Sequence, residues 1–167
     1  MNKQDKFESE RLYYKGIDEK DTVNLVKWRS DFNVIKYFRN PKPITQQEHN
    51  DWYSKSYVNN NSRFDFIIIE KRSNEKIGTA GVNNIDYIKK TCEISYMIAE
   101  SSFQRKGYAS EAVKALMERM QLENINIFYA EIHVDNIASI NLINKLGYKY
   151  DYSQEKFSIY SISREVL

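Results

Sequence analysis

Gln104-Arg105-Lys106-Gly107-Tyr108-Ala109 stands between a strand-like run, Cys92 to Ile98, and a strongly amphipathic segment. In that segment Ala109, Ala112, Val113, Leu116, Met117 and Met120 fall at offsets 0, 3, 4, 7, 8 and 11, one apolar stripe at helical spacing. Lys114 and Glu118 lie on the other face. A helix that starts here leaves its first backbone N–H groups unpaired. Those donors, with the positive end of the helix dipole, favour a polyanion such as a pyrophosphate. Gly107 and Ala109 suit such a cradle, because a missing or minimal Cβ lets a ligand come close to the backbone. The segment matches neither common nucleotide fingerprint: it lacks the second and third glycine of a dinucleotide fold and the Gly-Lys-Ser/Thr of a P-loop. Taken alone, Q-x-x-G-x-A is equally compatible with an ordinary loop.

About thirty residues further on, Phe128 to Asp135 alternates as a strand and runs into Asn136-Ile137-Ala138-Ser139-Ile140-Asn141-Leu142-Ile143-Asn144-Lys145-Leu146-Gly147-Tyr148. This reads as a short helix with Asn136 as N-cap and Gly147 just past its end. Together the two stretches resemble the GNAT superfamily of acyl-CoA-dependent N-acyltransferases. That superfamily carries a Q/R-x-x-G-x-G/A pyrophosphate loop followed by an N-x-x-(A/S)-x(7)-G-(F/Y) element, in this order and at a similar separation.

Composition is consistent with that reading. The 167 residues are expected to form one domain, long enough to bury a core. With 25 basic and 23 acidic residues the formal charge is +2, and the basic residues are scattered, so no nucleic-acid partner is expected. The single cysteine, Cys92, excludes an intramolecular disulfide framework and reads as a small buried strand residue rather than a nucleophile. The longest aliphatic run, Phe66 to Ile69, is too short to span a membrane, and Asn2 to Glu10 lacks the apolar region of a signal peptide. A cytoplasmic protein, monomeric or homodimeric and without a metal, is expected.

Along the chain, Arg11 to Ile17 reads as a first strand. Asp18 opens a helical stretch with Leu25, Trp28, Phe32 and Ile35 on one face, broken at Asn40-Pro41-Lys42-Pro43. Thr45-Gln46-Gln47-Glu48 has the form of a capping box opening a helix to about Tyr57. Phe64 to Glu70 and Lys76 to Asn84 look like a hairpin around Lys71 to Glu75, followed by a strand from Thr91 to Ile98. Two strands close the chain, around Tyr148 to Asp151 and Phe157 to Ile162. The resemblance implies an α/β fold of GNAT type, a mixed and mostly antiparallel sheet with splayed middle strands and about four flanking helices.

It also implies site residues. Acetyl-CoA would lie in the gap between the strand through Met97, Ile98 and Ala99, whose backbone pairs with the pantetheine, and the strand through Glu131. The amides of Arg105, Lys106, Gly107, Tyr108, Ala109 and Ser110 would hold the pyrophosphate, and Gln104 is counted with them among the cofactor-binding residues. Asn136 would bond the pantetheine or cap the last helix. Acetyl transfer to an amine needs a neutral amine, stabilisation of a tetrahedral oxyanion, and a proton for the leaving thiolate. In this family the oxyanion donor is usually a backbone N–H, here near Ile98. Glu131 and His133 share a strand face opposite Ala130, Ile132 and Val134. Glu131 is the first candidate base, followed by Glu93 on the neighbouring strand and then His133, with an ordered water chain as the alternative.

Many family members place a tyrosine seven residues after the motif asparagine, as the acid for the thiolate; here Ile143 occupies that position. Ser139 is the substitute candidate, in a form similar to the branch of ribosomal-protein N-terminal alanine acetyltransferases. A hydroxyl back-bonded to its own helix start is the competing reading. The stretches Trp28-Arg29-Ser30, Asn33-Val34, Tyr37-Phe38 and Ile44 to Trp52 resemble amino-sugar-nucleotide N-acetyltransferases of the pseudaminic-acid type. The implied acceptor is then a small primary amine, that of a sugar nucleotide first. A ribosomal-protein N-terminus, a polyamine, or a binding-only acyl-CoA sensor remains open. Trp52, Tyr53 and Tyr57 follow His49 at offsets 3, 4 and 8, which points to packing on that face.

Overall fold

The computed structural model describes residues 1–165. Eight strands form one sheet in the order β1-β2-β3-β4-β5-β6-β8-β7. They are β1 (Lys6–Glu8), β2 (Leu12–Gly16), β3 (Phe64–Glu70), β4 (Lys76–Asp86), β5 (Thr91–Ile98), β6 (Ile127–His133), β7 (Lys149–Gln154) and β8 (Phe157–Ser163). Every neighbouring pair is antiparallel except β5 with β6. Among the described residues five α-helices flank the sheet: α1 (Thr22–Arg29), α2 (Phe32–Ile35), α3 (Gln46–Trp52), α4 (Tyr108–Gln121) and α5 (Ile137–Lys145). This is the mixed, mostly antiparallel α/β arrangement that the resemblance implied.

The central strands are covered on both sides, and their side chains divide between two cores. Phe66 and Ile68 of β3, Cys92 and Ile94 of β5, and Phe128, Ala130 and Ile132 of β6 pack with the α4 stripe Ala112, Val113, Leu116, Met117 and Met120. Leu116 and Met120 lose all contact with solvent, and burial of each such side chain contributes about 1.5–3 kcal/mol. Ile67, Trp28, Leu25 and Tyr57 form the second core, against which Trp52, Tyr53 and Met97 pack. The residues after His49 therefore do pack on that side, with Trp52 and Tyr57 rings 5.0 Å apart.

Several boundaries differ from the sequence reading. Lys6–Glu8 forms an edge strand ahead of the expected first one; three residues are too few to display an alternation. The helical stretch after Asp18 is divided into a 3-10 turn at Glu19–Asp21, α1 and the single turn α2. Asp31 caps α2 by accepting from the Asn33 amide at 2.9 Å, which stops α1 from continuing, and Phe32 is 67% exposed rather than on the inner face. The capping box at Thr45 and Glu48 forms, but α3 ends at Trp52 and passes into a π-helical turn at Tyr53–Tyr57.

The decisive feature is local. Parallel pairing between β5 and β6 covers only Thr91 with Ile127, Cys92 with Phe128 and Glu93 with Tyr129. Beyond Glu93 the strands part. β5 keeps its bonds to β4 as far as Ile98, and β6 keeps its bonds to β8 as far as His133.

Candidate active site

The parted strands open a cavity of about 1180 Å³ that runs from the cradle loop to the helices α1–α3. Alternation along β5 sends Glu93, Ser95 and Met97 toward α1–α3, and Ile94, Tyr96 and Ile98 toward α4 and α5. On β6, Glu131 and His133 face the α1–α3 side. The gap thus joins two chemically different walls. One bears carboxylates and arginines; the other bears Tyr96, Ser139 and Leu142.

At the cradle, Arg105 (φ +58°) and Gly107 (φ +83°) take left-handed conformations. Glu111 makes the first amide bond of the helix, to the Gly107 carbonyl at 3.1 Å, so the amides of Tyr108, Ala109 and Ser110 precede the intrahelical ladder. An alternation of hand of this kind makes a concave nest of N–H groups suited to an anion. A Cβ at position 107 would lie 3.3 Å from the Arg11 guanidinium and would be strained at this φ. Gln104 donates to the Ile98 carbonyl at 2.9 Å and ties the loop to the end of β5.

Arg11 was not singled out in the sequence. Its Nε donates to Glu111 at 2.7 Å, its Nη1 donates to the Lys106 carbonyl at 3.0 Å, and its guanidinium lies 4.3 Å from the centre of the Tyr108 ring. Burial opposes ionisation of Glu111. Bonds from the Arg11 amide, the Ser9 hydroxyl and the Arg11 guanidinium outweigh it and hold its pKa below the ordinary carboxylate range. The loop is therefore buttressed by the residue just ahead of β2, across nearly a hundred residues of sequence, which no local pattern announces.

Among the base candidates, Glu131 is engaged by Arg39 through both carboxylate oxygens, at 3.0 and 2.6 Å. Glu93 stands at the vertex where the strands part. Its pKa is raised, first by burial and further by the nearby Glu131 charge, and the bond from Asn84 Nδ2 at 3.0 Å offsets this only in part. His133 Nδ1 receives the Asp135 amide at 3.2 Å, and its ring sits between Tyr37 and Phe157 at 5.5 and 5.3 Å.

Asn136 caps α5, its Oδ1 accepting from the Ser139 amide at 3.3 Å, and the residue also lines the cavity. The hydroxyl of Ser139 lies beside Tyr96. Ile143 is wholly buried in the core, so a phenol added there would overpack it. Met97, Ile98 and the loop residues Gln104, Arg105, Gly107, Tyr108, Ala109 and Ser110 line the cavity; Lys106 and Ala99 do not. Ala99 instead donates its amide to Ile77 at 2.8 Å.

On the acceptor side stand Arg29, Arg39 and Arg63 together with Tyr37, Phe38 and Trp52. Arg63 is bound to Asp65 at 2.6 Å. The Nε of Arg29 is buried with no hydrogen-bond partner among the described residues, and its guanidinium lies 5.0 Å from the Phe38 ring centre.

The family model described as an acetyltransferase (GNAT) domain matches residues 11–149. The chain belongs to the GNAT acetyltransferase family. It is 33% identical over 150 residues to an uncharacterised N-acetyltransferase, p20, of Bacillus licheniformis, covering 84% of this chain and 80% of that one. In structure it is similar to a domain from Methanocaldococcus jannaschii, with a TM-score of 0.82, 24% identity and coverage of 96% and 100%. Spermidine N-acetyltransferase from Vibrio cholerae, solved with CoA and spermine, superposes with a TM-score of 0.81, 18% identity and coverage of 92% and 95%. This GNAT chain is accordingly an N-acetyltransferase, with acetyl-CoA as its co-substrate. Among the described residues no three His, Cys, Asp or Glu side chains converge as a metal site, and no helix is long and apolar enough to cross a membrane.

Proposed function

We propose that this GNAT enzyme acetylates the primary amine of a small acceptor that also carries an anionic group, an amino-sugar nucleotide being the first candidate. The observation that carries this reading is Arg29, a cation on the acceptor wall whose buried Nε has no partner among the described residues. Burial, then repulsion by Arg63, lowers its pKa, and a phosphate or carboxylate would relieve both effects. Tyr37, Phe38 and Trp52 offer ring faces for a base or sugar. A polyamine fits this wall less well. Glu131 and Asp65 are already neutralised by Arg39 and Arg63, and Glu48 is used in capping α3.

In this reading the edge of β5 at Met97 and Ile98 takes the pantetheine, and the amides of Arg105 and of Gly107 to Ser110 take the pyrophosphate. Glu93, with its raised pKa, removes the amine proton directly or through water. Glu131 orients Arg39, and a backbone amide near Ile98 stabilises the oxyanion.

Thiol release from acetyl-CoA, measured with a UDP-linked amino sugar, a free amino sugar, a dipeptide and spermidine, tests the acceptor class. The anionic sugar should have the highest kcat/KM, and Arg29→Met should raise its KM at least about tenfold, the 1.4 kcal/mol of one charge-assisted contact. A spermidine preference that survives Arg29→Met would overturn the reading.

A further inference from the structure

The familiar position for the acid that protonates the leaving thiolate is filled by the buried Ile143, so the proton must come from elsewhere. On the wall of the gap opposite Glu93, the hydroxyl oxygen of Tyr96 is buried and, among the described residues, has no partner in hydrogen-bond geometry. Tyr96 belongs to the parted stretch of β5. Its backbone pairs with Ala80 of β4 on one side, while pairing with β6 has already stopped at Glu93. The phenol points to the α4–α5 side and lies beside Ser139, in the first turn of α5; both residues line the gap. A buried hydroxyl without a partner costs free energy unless a ligand atom completes it. The ligand that fits between β5 and β6 ends in a thioester.

We propose that Tyr96 is a catalytic residue that donates its phenolic proton to the departing coenzyme A sulfur, with the Ser139 hydroxyl positioning it. The inference rests on the acetyl-transfer reading above. The amine nitrogen attacks the thioester carbon to form the C–N bond, and its extra proton passes to Glu93. Collapse of the tetrahedral oxyanion breaks the C–S bond and leaves the electron pair on sulfur. The Tyr96 proton moves to that sulfur and yields the free thiol. The proton held by Glu93 returns through solvent to the phenolate, so the enzyme ends unchanged. Burial pushes the Tyr96 phenol up to about 12, with the Ser139 hydroxyl acting in the opposite direction, so the proton is in place at neutral pH. A thiolate formed in the same apolar gap is itself desolvated, and therefore a stronger base than in water.

Tyr96→Phe removes the proton and keeps the ring. With saturating acetyl-CoA and the fastest amine of the panel above, kcat should fall about 10²-fold while the affinity for CoA by calorimetry stays within about twofold. A second readout needs no acceptor. In an ultraviolet titration of the CoA complex, the bound thiol should ionise at higher pH in Tyr96→Phe than in the wild type, because the thiolate has lost its donor. An unchanged thiol titration, or a kcat within about threefold of wild type, overturns the proposal. If the variant does not fold, 3,5-difluorotyrosine at position 96 keeps the shape and acidifies the phenol. It should shift the thiol titration; no shift likewise overturns the proposal. A wild-type enzyme that turns over none of the amines refutes the acceptor reading, and the titration still decides on Tyr96.

Discussion

Gly107 carries two burdens that act on different observables. Its φ of +83° penalises side chains other than Asn and Asp by about 1–2 kcal/mol, and its open face is where the proposed pyrophosphate approaches the amides. Gly107→Asn, which tolerates the left-handed conformation, should fold with near-native stability and lose at least about tenfold in acetyl-CoA affinity by calorimetry. Gly107→Val should lose both affinity and stability. Native affinity in the folded Asn variant would show that the loop does not hold the ligand. Glu93 gives a test by pH. Its folded-state pKa is raised, chiefly by burial, so ionisation costs stability: the cost is absent below the unfolded carboxylate range, grows as pH rises and is complete above the raised value. Glu93→Gln should therefore be at least as stable as wild type at neutral pH. It should also lose the acidic limb of the kcat/KM profile along with most of its turnover. An acidic limb that persists in Glu93→Gln would assign the base to Glu131 or to water.

At the scale of elements, helix α4 was fully legible because its stripe repeats at helical spacing over twelve residues and its buried face is continuous. Asn136 and Gly147 bound α5 for equally local reasons: a side-chain oxygen meets the Ser139 amide, and Gly147 takes φ +93°. The stretch after Asp18 was less legible, since Asp31 interrupts an apolar spacing that otherwise continues. The buttress of α4 was not legible at all, because Arg11 and Glu111 meet only after β2 and α4 have docked. Glu111→Ala should cost about 1–3 kcal/mol in denaturant unfolding, since it leaves the Arg11 amide and guanidinium without their acceptor, and should weaken acetyl-CoA binding with it. Because the Glu111 pKa is depressed, its stabilisation is present above the unfolded carboxylate range and is lost as pH falls through the folded value. An affinity unchanged in Glu111→Ala would mean that the nest holds its shape without the buttress.

Over the whole molecule, the gap is an early end to the pairing of β5 with β6, and a ligand that fills it should stabilise the native state by mass action. Acetyl-CoA at a hundred times its Kd should add about 2.7 kcal/mol, read as a rise in Tm that grows with the logarithm of ligand concentration. Hydrogen exchange should slow in β5 beyond Glu93 under the same conditions; a Tm that does not respond to acetyl-CoA would contradict binding in the gap. By itself the sequence determined the glycine-bearing loop and the helix behind it, the capped final helix, and the central strands, because each is written in residues close enough to interact along the chain. Only the tertiary structure decided the rest. It tied Glu131 to Arg39 from ninety-two positions away, raised Glu93 by burying it at the vertex, left Arg29 Nε without a partner among the described residues, and brought Tyr96 beside Ser139. The physical reason is common to all four: hydrogen bonding and desolvation at a site depend on what arrives from other strands and helices, and a chain read in one dimension does not record who arrives.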